Sequence, residues 1–463
     1  MTISKSFLEH FRCAEEHAEF MAIGNGHTPP GFFRFGPDAI CYGHVGTGFC
    51  SPSADAELYD ASSDVRLENG SCMIAFEPDA VVENLRRERY VAEALPPGRG
   101  PSNGGFVRKA YYMVRPLLPV AVRKHLQRAS LKGWANKPFP KWPVDRSVDS
   151  VFDQLMALAI AKQKAETIPF IWFWPEGKSG CAIMTHDIET RTGLDFCPTL
   201  MDLNDSCGIK SAFQVIPEGR YHAQKHELDT IRNRGFEVNV HDWNHDGHLY
   251  SSRELFLSRA AKINEVAAEY RAEGFRSGVL YRNTDWYGDL NFAYDMSVPN
   301  VGHLDPQPGG CCTVMPYFIG NMLEIPLTTI QDYSLFHILQ DYSIEVWKRQ
   351  IARILDGHGL ATFNVHPDYV IEEKARAVYS QLLAYLASLE SERNIWLALP
   401  RDLNRWWRDR SQMKIVERNG RLEIEGPGKE RARIAYASME GTRLSYTITG
   451  KTTYQEEPIR QTR

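Results

Sequence analysis

The sequence predicts an α/β fold in which short buried strands alternate with amphipathic helices. Between residues 171 and 403, apolar runs such as Cys181–Thr185 and Leu360–Val365 alternate with segments such as Arg253–Tyr270, whose apolar residues recur at helical spacing. Repeated strand–helix units give a parallel sheet, either doubly wound or closed as a barrel. In such folds the chemistry lies at the carboxyl ends of the strands, so candidate residues should directly follow apolar runs.

The individual elements of this region can be read from the same periodicities. The predicted strands are Cys181–Thr185, Ser211–Ile216, Glu237–Val240, Leu360–Val365 and Ile395–Leu399. The predicted helices are Leu228–Arg234, Arg253–Tyr270, Ile344–Leu355 and Ile371–Leu389.

The composition limits the class of protein. With 463 residues, the chain has room for two or three domains. Its 53 basic and 58 acidic residues leave a net charge of −5, which gives no reason to expect nucleic-acid binding. Glu9, His10 and Arg12 interrupt any signal-peptide core, and no apolar run reaches the roughly 20 residues that span a bilayer. The nine scattered cysteines fit reduced thiols, so we expect a cytoplasmic protein.

The first ninety-odd residues predict a small β-rich domain. Short β-like runs at Phe32–Phe35, Ile40–Tyr42 and Cys72–Phe76 are separated by Gly, Pro, Asp and Ser. A charged helix over Val81–Ala94 closes this domain, and a linker rich in Pro and Gly follows at 96–105.

The C-terminal part predicts a second small β-rich unit, because strand-like runs joined by Gly-containing turns follow residue 410. Those runs are Lys414–Val416, Arg421–Glu425, Ala432–Ala437 and Arg443–Ile448. We therefore predict an N-terminal domain at 1–95, a basic linker and helical connector at 96–170, the α/β domain at 171–405, and a C-terminal appendage at 411–450.

The segment 101–144 contains nine basic residues and no acidic one, interleaved with apolar side chains. Such a segment can lie on an anionic membrane surface, so peripheral membrane contact is one prediction. The alternative is an interdomain connector whose apolar face packs on the neighbouring domain. Pro116 and Pro119 interrupt any long helix and favour the connector.

Two carboxylates follow the first strand of the α/β domain. The run Cys181–Thr185 leads into His186, Asp187, Ile188 and Glu189. Carboxylates two positions apart at a strand end can face one site with different tasks, since one can bind a metal while the other stays free as a base. An Asp-x-Glu sequence is also common at surfaces and helix caps, so this motif alone decides nothing.

Two histidines follow the strand Glu237–Val240. His241 and His245 stand at positions i and i+4, which places both rings on one face of a helical turn and within reach of a single ion. The alternative is a pair of unrelated polar histidines on a solvated turn.

An arginine and a third histidine complete the set. Arg276 lies in a strand-like run after the helix Arg253–Tyr270, where a buried guanidinium could hold Asp187 ionised by pairing with it. His366 follows Leu360–Val365, and a histidine there is suited to act as a general acid. Each has an ordinary structural alternative, but the joint pattern in one α/β region is hard to produce by chance.

These four motifs, in this order, resemble the polysaccharide deacetylase family, the NodB-homology group of carbohydrate esterases. Thr185–Glu189 is similar to the family's first motif and His241–His245 to its metal-binding histidine pair. Phe275–Arg276 resembles its arginine motif, and Leu360–His366 its final histidine motif. The resemblance covers half of the chain. It implies a distorted (β/α) barrel of the polysaccharide deacetylase type, flanked here by the small β-rich N- and C-terminal appendages.

The resemblance also implies a role for each residue. Asp187 would take a proton from water, His366 would protonate the departing amine, and Arg276 would hold Asp187 in place. The implied cofactor is a divalent metal, most often Zn²⁺. Its ligands would be Glu189, His241 and His245.

The sequence departs from the family pattern at several positions. Glu189 stands where an aspartate is usual, and Asp242 replaces a Ser or Thr. The arginine motif lacks its usual prolines and tyrosine. The aspartate that tunes the final histidine has no clear counterpart, and Asp295 and Asp332 are the two candidates.

The implied function is hydrolysis of an N-acetyl group on an amino sugar of an oligosaccharide, polysaccharide or glycolipid precursor. Trp243, Trp286 and Tyr287 could stack on sugar rings, although core packing explains such residues more often. One alternative is a barrel amidohydrolase that acts on a cyclic amide or ureide. Another is a non-catalytic carbohydrate-binding barrel, against which the joint presence of ligands, base and acid argues. The sequence does not indicate an oligomeric state.

Overall fold

The computed structural model describes residues 2–24, 29–68, 70–91, 131, 133–448 and the backbone of 451–452. Most of the basic segment 101–144 lies outside these residues, and so does the end of the predicted helix Val81–Ala94. Membrane contact through that segment therefore stays a prediction. Among the helices that the structure describes, none is long and apolar enough to cross a membrane.

Residues 2–91 form a β-rich unit with two helices. Its elements are β1 (Thr2–Ile3), α1 (Lys5–Phe11), β2 (Glu19–Ala22), β3 (Gly31–Phe35), β4 (Ala39–Gly43), β5 (Arg66–Glu68), β6 (Ser71–Ile74) and α2 (Pro78–Arg86). β1, β2, β6 and β5 form one sheet, while β3 and β4 form a separate hairpin. The helix predicted over 81–94 is observed as α2, which starts earlier because Pro78 suits the first helical position. It ends before Glu88, whose φ of 57° is left-handed.

Two elements connect this unit to the α/β part, α3 (Ser147–Gln163) and β7 (Thr167–Ile171). The buried side chains of α3, among them Phe152 and Leu155, belong to the same apolar cluster as Phe7 and Phe32. Because this cluster crosses the boundaries that the sequence suggests, the division into domains stays a prediction.

The α/β part alternates strands and helices as the sequence predicts. It comprises β8 (Cys181–Ile188), α4 (Arg191–Ser206), β9 (Ser211–Val215), α5 (Lys225–Asn233), β10 (Glu237–His241), α6 (Arg253–Tyr270), β11 (Gly274–Arg276), β12 (Tyr294–Asp295), β13 (Tyr317–Ile319), β14 (Met322–Glu324), α7 (Glu345–Leu355), β15 (Leu360–Asn364), α8 (Pro367–Val370), α9 (Glu373–Glu392), β16 (Trp396–Ala398) and α10 (Pro400–Gln412).

These strands form one curled sheet in the order β13-β14-β12-β11-β10-β9-β8-β15, with β16 beside β8. All pairs are parallel except β13 with β14. The chain beyond β14 reaches the opposite edge, where Thr329 N donates to Thr362 O at 3.3 Å and Thr328 Oγ1 to Leu360 O at 2.7 Å. These bonds draw the two ends of the sheet together, which confirms the predicted distorted (β/α) barrel.

The two faces of the sheet pack on different cores. Along β8, Ala182 and Met184 belong to the cluster formed with the surrounding helices, whereas Cys181 and Ile183 belong to the cluster shared with the N-terminal unit. Side chains alternate along a strand, so the odd-numbered residues of β8 face the inside of the curled sheet. Thr185 and Asp187 follow on the same face, towards the carboxyl end of the strand.

The C-terminal strands are β17 (Lys414–Arg418), β18 (Arg421–Glu425), β19 (Ile434–Glu440), β20 (Arg443–Ile448) and β21 (Lys451–Thr452). β17 and β18 form a hairpin, and β21, β20 and β19 form a sheet with β7. The predicted C-terminal strands are present, but β19 pairs with β7, which precedes the barrel in the sequence.

Candidate functional site

All six residues that the sequence singles out meet at the carboxyl ends of neighbouring strands. In the sheet order β11-β10-β9-β8-β15, four of the five strands contribute at least one of them. They are Asp187 and Glu189 on and after β8, His241 and His245 on and after β10, Arg276 at the end of β11, and His366 after β15. Salt bridges or hydrogen bonds link every one of them to another member of the set.

Asp187 lies at the centre of this group. Its Oδ1 accepts a hydrogen bond from Arg276 Nη1 at 2.9 Å, and its Oδ2 accepts one from Asn364 Nδ2 at 2.7 Å. Oδ2 also lies 3.8 Å from His241 Nε2 and 4.0 Å from His366 Nε2. Burial alone would raise the pKa of Asp187, but the charge of Arg276 and the two imidazoles hold it well below its ordinary value. Asp187 is therefore an ionised carboxylate whose two oxygens are held by Arg276 and Asn364.

Arg276 organises two of these groups. Its side chain is 0% exposed and donates to Met296 O, Thr185 Oγ1 and Asp187. Its backbone carbonyl lies 3.1 Å from His241 Nδ1. A carbonyl can only accept, so His241 carries a proton on Nδ1, and Nε2 is the ring nitrogen that can bind a metal. The ordinary alternative, a surface arginine, is wrong because the guanidinium is buried.

The two paired histidines do not lie on a helical turn, contrary to the prediction. Asp242 and His245 have φ values of 58° and 55°, which place them in the left-handed region. Asp242 Oδ2 accepts a hydrogen bond from Gly278 N at 3.1 Å. A Cβ atom on Gly278 would come within 2.3 Å of that oxygen, so the close approach requires glycine. The bend still brings the rings of His241 and His245 to a centroid distance of 4.8 Å.

Glu189 faces His245 and the open side of the site. Its Oε1 lies 3.4 Å from His245 Nε2, and its Oε2 lies 3.3 Å from Arg220 Nη1. Its backbone N donates to Asp368 Oδ2 at 3.0 Å, which ties it to α8, the helix that begins directly after His366. Burial opposes ionisation, but the protonated His366 and the Arg220 cation lower the pKa of Glu189. Burial lowers the pKa of His245 to about 3, so its ring is neutral and able to bind a metal.

His366 is paired with a buried aspartate. Its Nδ1 lies 2.6 Å from Asp332 Oδ1, and its backbone N donates to Asp332 Oδ2 at 2.7 Å. Burial would lower the pKa of His366, but the charge and hydrogen bond of Asp332, followed by Glu189 and Asp187, raise it to about 10. Of the two candidates for this partner, the structure selects Asp332.

The other candidate, Asp295, belongs to a separate cluster. It accepts hydrogen bonds from Ser297 N and Oγ, both at 2.8 Å, and from Tyr287 Oη at 3.1 Å. Tyr287 is therefore a core residue and not a platform for sugar. Trp286 is half-buried and packs on Phe256 at a ring-centroid distance of 5.3 Å, so its stacking on a sugar ring stays a prediction.

Aromatic rings near His366 come from residues that the sequence did not single out. The ring of Tyr369 lies 4.9 Å from that of His366, and the rings of His337 and Tyr333 lie 5.0 Å and 5.7 Å from Tyr369. His337 lies in the π-helix Ser334–Leu339, a rare element that is frequent at functional sites. The signal that could have found them is the short spacing from Asp332 and His366.

The chemistry of the candidate metal ligands fits a divalent metal. Glu189, His241 and His245 supply one carboxylate and two imidazoles, a donor set suited to zinc. Glu189 Oε1 and His245 Nε2 stand at 3.4 Å, close to the roughly 3.3 Å between two donors that share a tetrahedral ion. His241 Nε2 is buried and has no hydrogen-bond partner among the described residues. Within the same residues, no group of three or more His, Cys, Asp or Glu side chains already has metal-binding geometry. The donors fit a metal, and two of the three stand at ligand spacing.

The chain is similar to several solved structures. One from Mycobacterium smegmatis, assigned as a polysaccharide deacetylase, has 17% identity and a TM-score of 0.42, covering 51% of this chain and 93% of that one. A family 4 carbohydrate esterase from Streptomyces lividans has 11% identity and a TM-score of 0.30, covering 48% and 92%. A peptidoglycan deacetylase from Bacillus subtilis has 12% identity and a TM-score of 0.32, covering 50% and 92%.

All three carry names of the family that the motifs resemble. No protein-family model and no curated protein matches the chain. The TM-scores lie below 0.5, so the function has to be inferred from the residues of the site.

Proposed function

We propose that this protein hydrolyses an N-acetyl group on an amino sugar of an oligosaccharide, polysaccharide or glycolipid precursor, in a reaction that depends on a divalent metal, most often zinc. The observation that carries the proposal is the close approach of a carboxylate and a histidine whose surroundings favour opposite protonation states. His366 Nε2 lies 4.0 Å from Asp187 Oδ2. The pKa of Asp187 is held well below its ordinary value, while that of His366 is raised to about 10. Two titratable groups driven apart in this way support the assignment of Asp187 as the base and His366 as the acid.

The roles of the residues follow from these contacts. Asp187 Oδ2 accepts a proton from the attacking water, while Arg276 keeps the carboxylate oriented from its other oxygen. The protonated His366 donates its Nε2 proton to the amine nitrogen as the carbon–nitrogen bond breaks. Asp332 keeps His366 charged and fixes the direction of its ring. The products are acetic acid, which ionises to acetate, and a free amine; Asp187 ends protonated and His366 ends neutral.

The metal would be held by Glu189, His241 and His245. When bound, it supplies Lewis acidity towards the amide carbonyl and makes water a stronger acid. His241 Nδ1 continues to donate its hydrogen bond to the Arg276 carbonyl, so that Nε2 stays available as a ligand.

The surroundings of His366 support a carbohydrate substrate. Tyr333, His337 and Tyr369 form a half-exposed aromatic group beside the proposed acid. Rings with a polar tip suit the mixed apolar and hydroxylated faces of a sugar.

The first test is the metal content of the purified protein by elemental analysis, with a His241→Ala, His245→Ala double variant for comparison. We expect close to one equivalent of zinc or another transition metal in the wild type and a loss of it in the double variant. A wild type that stays metal-free after incubation with zinc would contradict the proposal and favour a non-catalytic barrel.

The second test is acetate release from N-acetylated glycans and glycolipids. Asp187→Asn should abolish turnover while keeping the metal, because the amide cannot accept the proton of water. A variant with wild-type turnover would show that the base has been assigned wrongly. Turnover of a cyclic amide instead of any acetylated glycan would favour a barrel amidohydrolase.

A further inference from the structure

Asn364 holds the oxygen of Asp187 that faces the proposed acid. It is the last residue of β15, is 0% exposed, and pairs in register with Thr185 on the inner face of the sheet. Its Nδ2 donates to Asp187 Oδ2 at 2.7 Å and to Gln331 Oε1 at 3.2 Å. Arg276 occupies the other oxygen of Asp187, so the carboxylate is held from both sides.

Gln331 continues this series of hydrogen bonds away from the site. Its Nε2 donates to Asp305 Oδ1 at 2.9 Å. Ionised carboxylates only accept, so Asp187 requires the NH₂ group of Asn364 on its side, and Asp305 requires that of Gln331. With a carboxylate at each end, only one orientation of each amide satisfies all three hydrogen bonds.

We propose that Asn364, Gln331 and Asp305 form a hydrogen-bonded relay that positions the proposed base Asp187, with Asn364 as the residue that fixes Oδ2. This inference rests on the proposed function, because it assigns a purpose to the orientation of that base. The three residues are positioning residues, since they act through Asp187 and not on the substrate.

The geometry explains why one oxygen needs such support. Oδ2 lies 3.8 Å from His241 Nε2 and 4.0 Å from His366 Nε2, so it is the oxygen directed at the reacting centre. A misplacement of about 1 Å in a catalytic group can cost about 100-fold in rate. Arg276 alone leaves rotation of the carboxylate about its Oδ1 contact unopposed, and the Asn364 amide opposes it.

Gln350 provides a matched control. It is 2% exposed, accepts a hydrogen bond from Ile330 N at 3.0 Å and donates to Pro143 O at 3.0 Å. It thus makes two hydrogen bonds close to Gln331 but none to the relay. Gln350→Met should change stability without changing the chemistry.

The first experiment needs no substrate. A double-mutant cycle of Asn364→Leu and Asp187→Ala is followed by thermal denaturation, with Gln350→Met and Asp187→Ala as the control cycle. We expect the Tm losses of the first cycle to deviate from additivity by about 2 °C or more, because the two side chains share a hydrogen bond. The control cycle should be additive. Additive losses in the first cycle would overturn the relay.

The second experiment measures kcat and KM on an N-acetylated glycan that the wild type hydrolyses. Asn364→Leu should lower kcat by about 10- to 100-fold, since one charge-assisted hydrogen bond to the base is lost, with KM and metal content unchanged. Gln331→Glu should also lower kcat, because it sets two carboxylates against each other. Adding Asp305→Asn restores a donor–acceptor order and should bring kcat back to within about threefold of the wild type.

The outcomes separate the inference from the function on which it rests. Coupling in the first cycle without any hydrolase activity of the wild type would retain the contact and reject the proposed function. An active wild type whose Asn364→Leu variant keeps full kcat would overturn the inference alone. Failure of the Asp305→Asn rescue would remove Gln331 and Asp305 from the relay.

Discussion

Glu237 should make the stability of the protein depend on pH. It is the first residue of β10, is 4% exposed, and lies at the closed end of the barrel. It accepts hydrogen bonds from Tyr294 Oη, from Asn239 Nδ2 at 2.8 Å and from Arg401 N, in the first turn of α10, at 3.1 Å. Burial raises the pKa of Glu237 to about 7 against these bonds.

The sign and size of the effect follow from linkage. The folded state binds the Glu237 proton more tightly than the unfolded chain, whose value for this group is 4.5. The stabilisation is fully present below pH 4.5 and is lost as the pH rises through 7. The gap between the two values corresponds to about 3 kcal/mol. For a chain of this size that unfolds in one transition, this is about 3 °C in Tm.

The measurement compares the wild type with Glu237→Gln by thermal denaturation at pH 4.5 and pH 8. The amide cannot ionise, so the variant lacks this one contribution while all others cancel in the difference. We expect the wild type to lose about 3 °C relative to the variant between the two pH values. Glu373→Gln, at an exposed position of α9, serves as the control and should show no such change. A constant Tm difference for Glu237→Gln at both pH values would refute the reasoning.

Three further predictions concern the site. Asp332→Asn should lower kcat by about 100- to 10,000-fold at unchanged metal content, because the proposed acid His366 loses the charge that keeps it protonated. The control Asp295→Asn should leave kcat within about twofold of the wild type. Equal losses of kcat in the two variants would contradict the assignment. Arg276→Lys should lower the free energy of unfolding by about 3 kcal/mol in chemical denaturation, since an ammonium cannot reach all the acceptors of the buried guanidinium. An unchanged denaturation midpoint would be evidence against this role of Arg276. Asp242→Ala should cost about 1–3 kcal/mol in the same assay, because Gly278 N loses its acceptor and alanine tolerates the left-handed φ poorly; a neutral result would mean that the bend is held by other contacts.

The convergence of the site could be predicted from the sequence for a simple physical reason. Asp187, His241 and His366 each follow an apolar run that reads as a strand, and Arg276 lies in a strand-like run. Parallel strands present their carboxyl ends at one edge, so the order of motifs along the chain is enough to bring them together. Their individual roles stay predictions until metal and turnover are measured.

Contacts that depend on distant loops could not be predicted. Asn364 reads as the end of an apolar strand, and its partner Asp187 is 177 residues away, so no local pattern marks it. The sequence left Asp332 and Asp295 as two candidates, and only the path of the chain decides which one meets His366. The spacing of His241 and His245 suggested a helical turn, but an irregular bend of the backbone sets the distance between their rings.

The same reasoning applies to the flanking parts. Alternation and turn residues were sufficient to predict strands such as β3, β4, β19 and β20. Nothing in the local sequence indicates that β19 pairs with β7, because backbone hydrogen bonds between strands carry no residue code.

Residues near the start of the described chain form hydrogen bonds with residues that are synthesised much later. Arg410 donates to His10 O across 400 residues and to Ile171 O, both at 2.7 Å, and β19 completes the sheet that contains β7. At a translation rate of about 5–20 residues per second, the segment around His10 waits roughly 20–80 s for these partners. During that time the apolar side chains of α1 and α3 lack part of their cover. The core around α1 is therefore completed only after the segment that contains Arg410 and β19 has been synthesised.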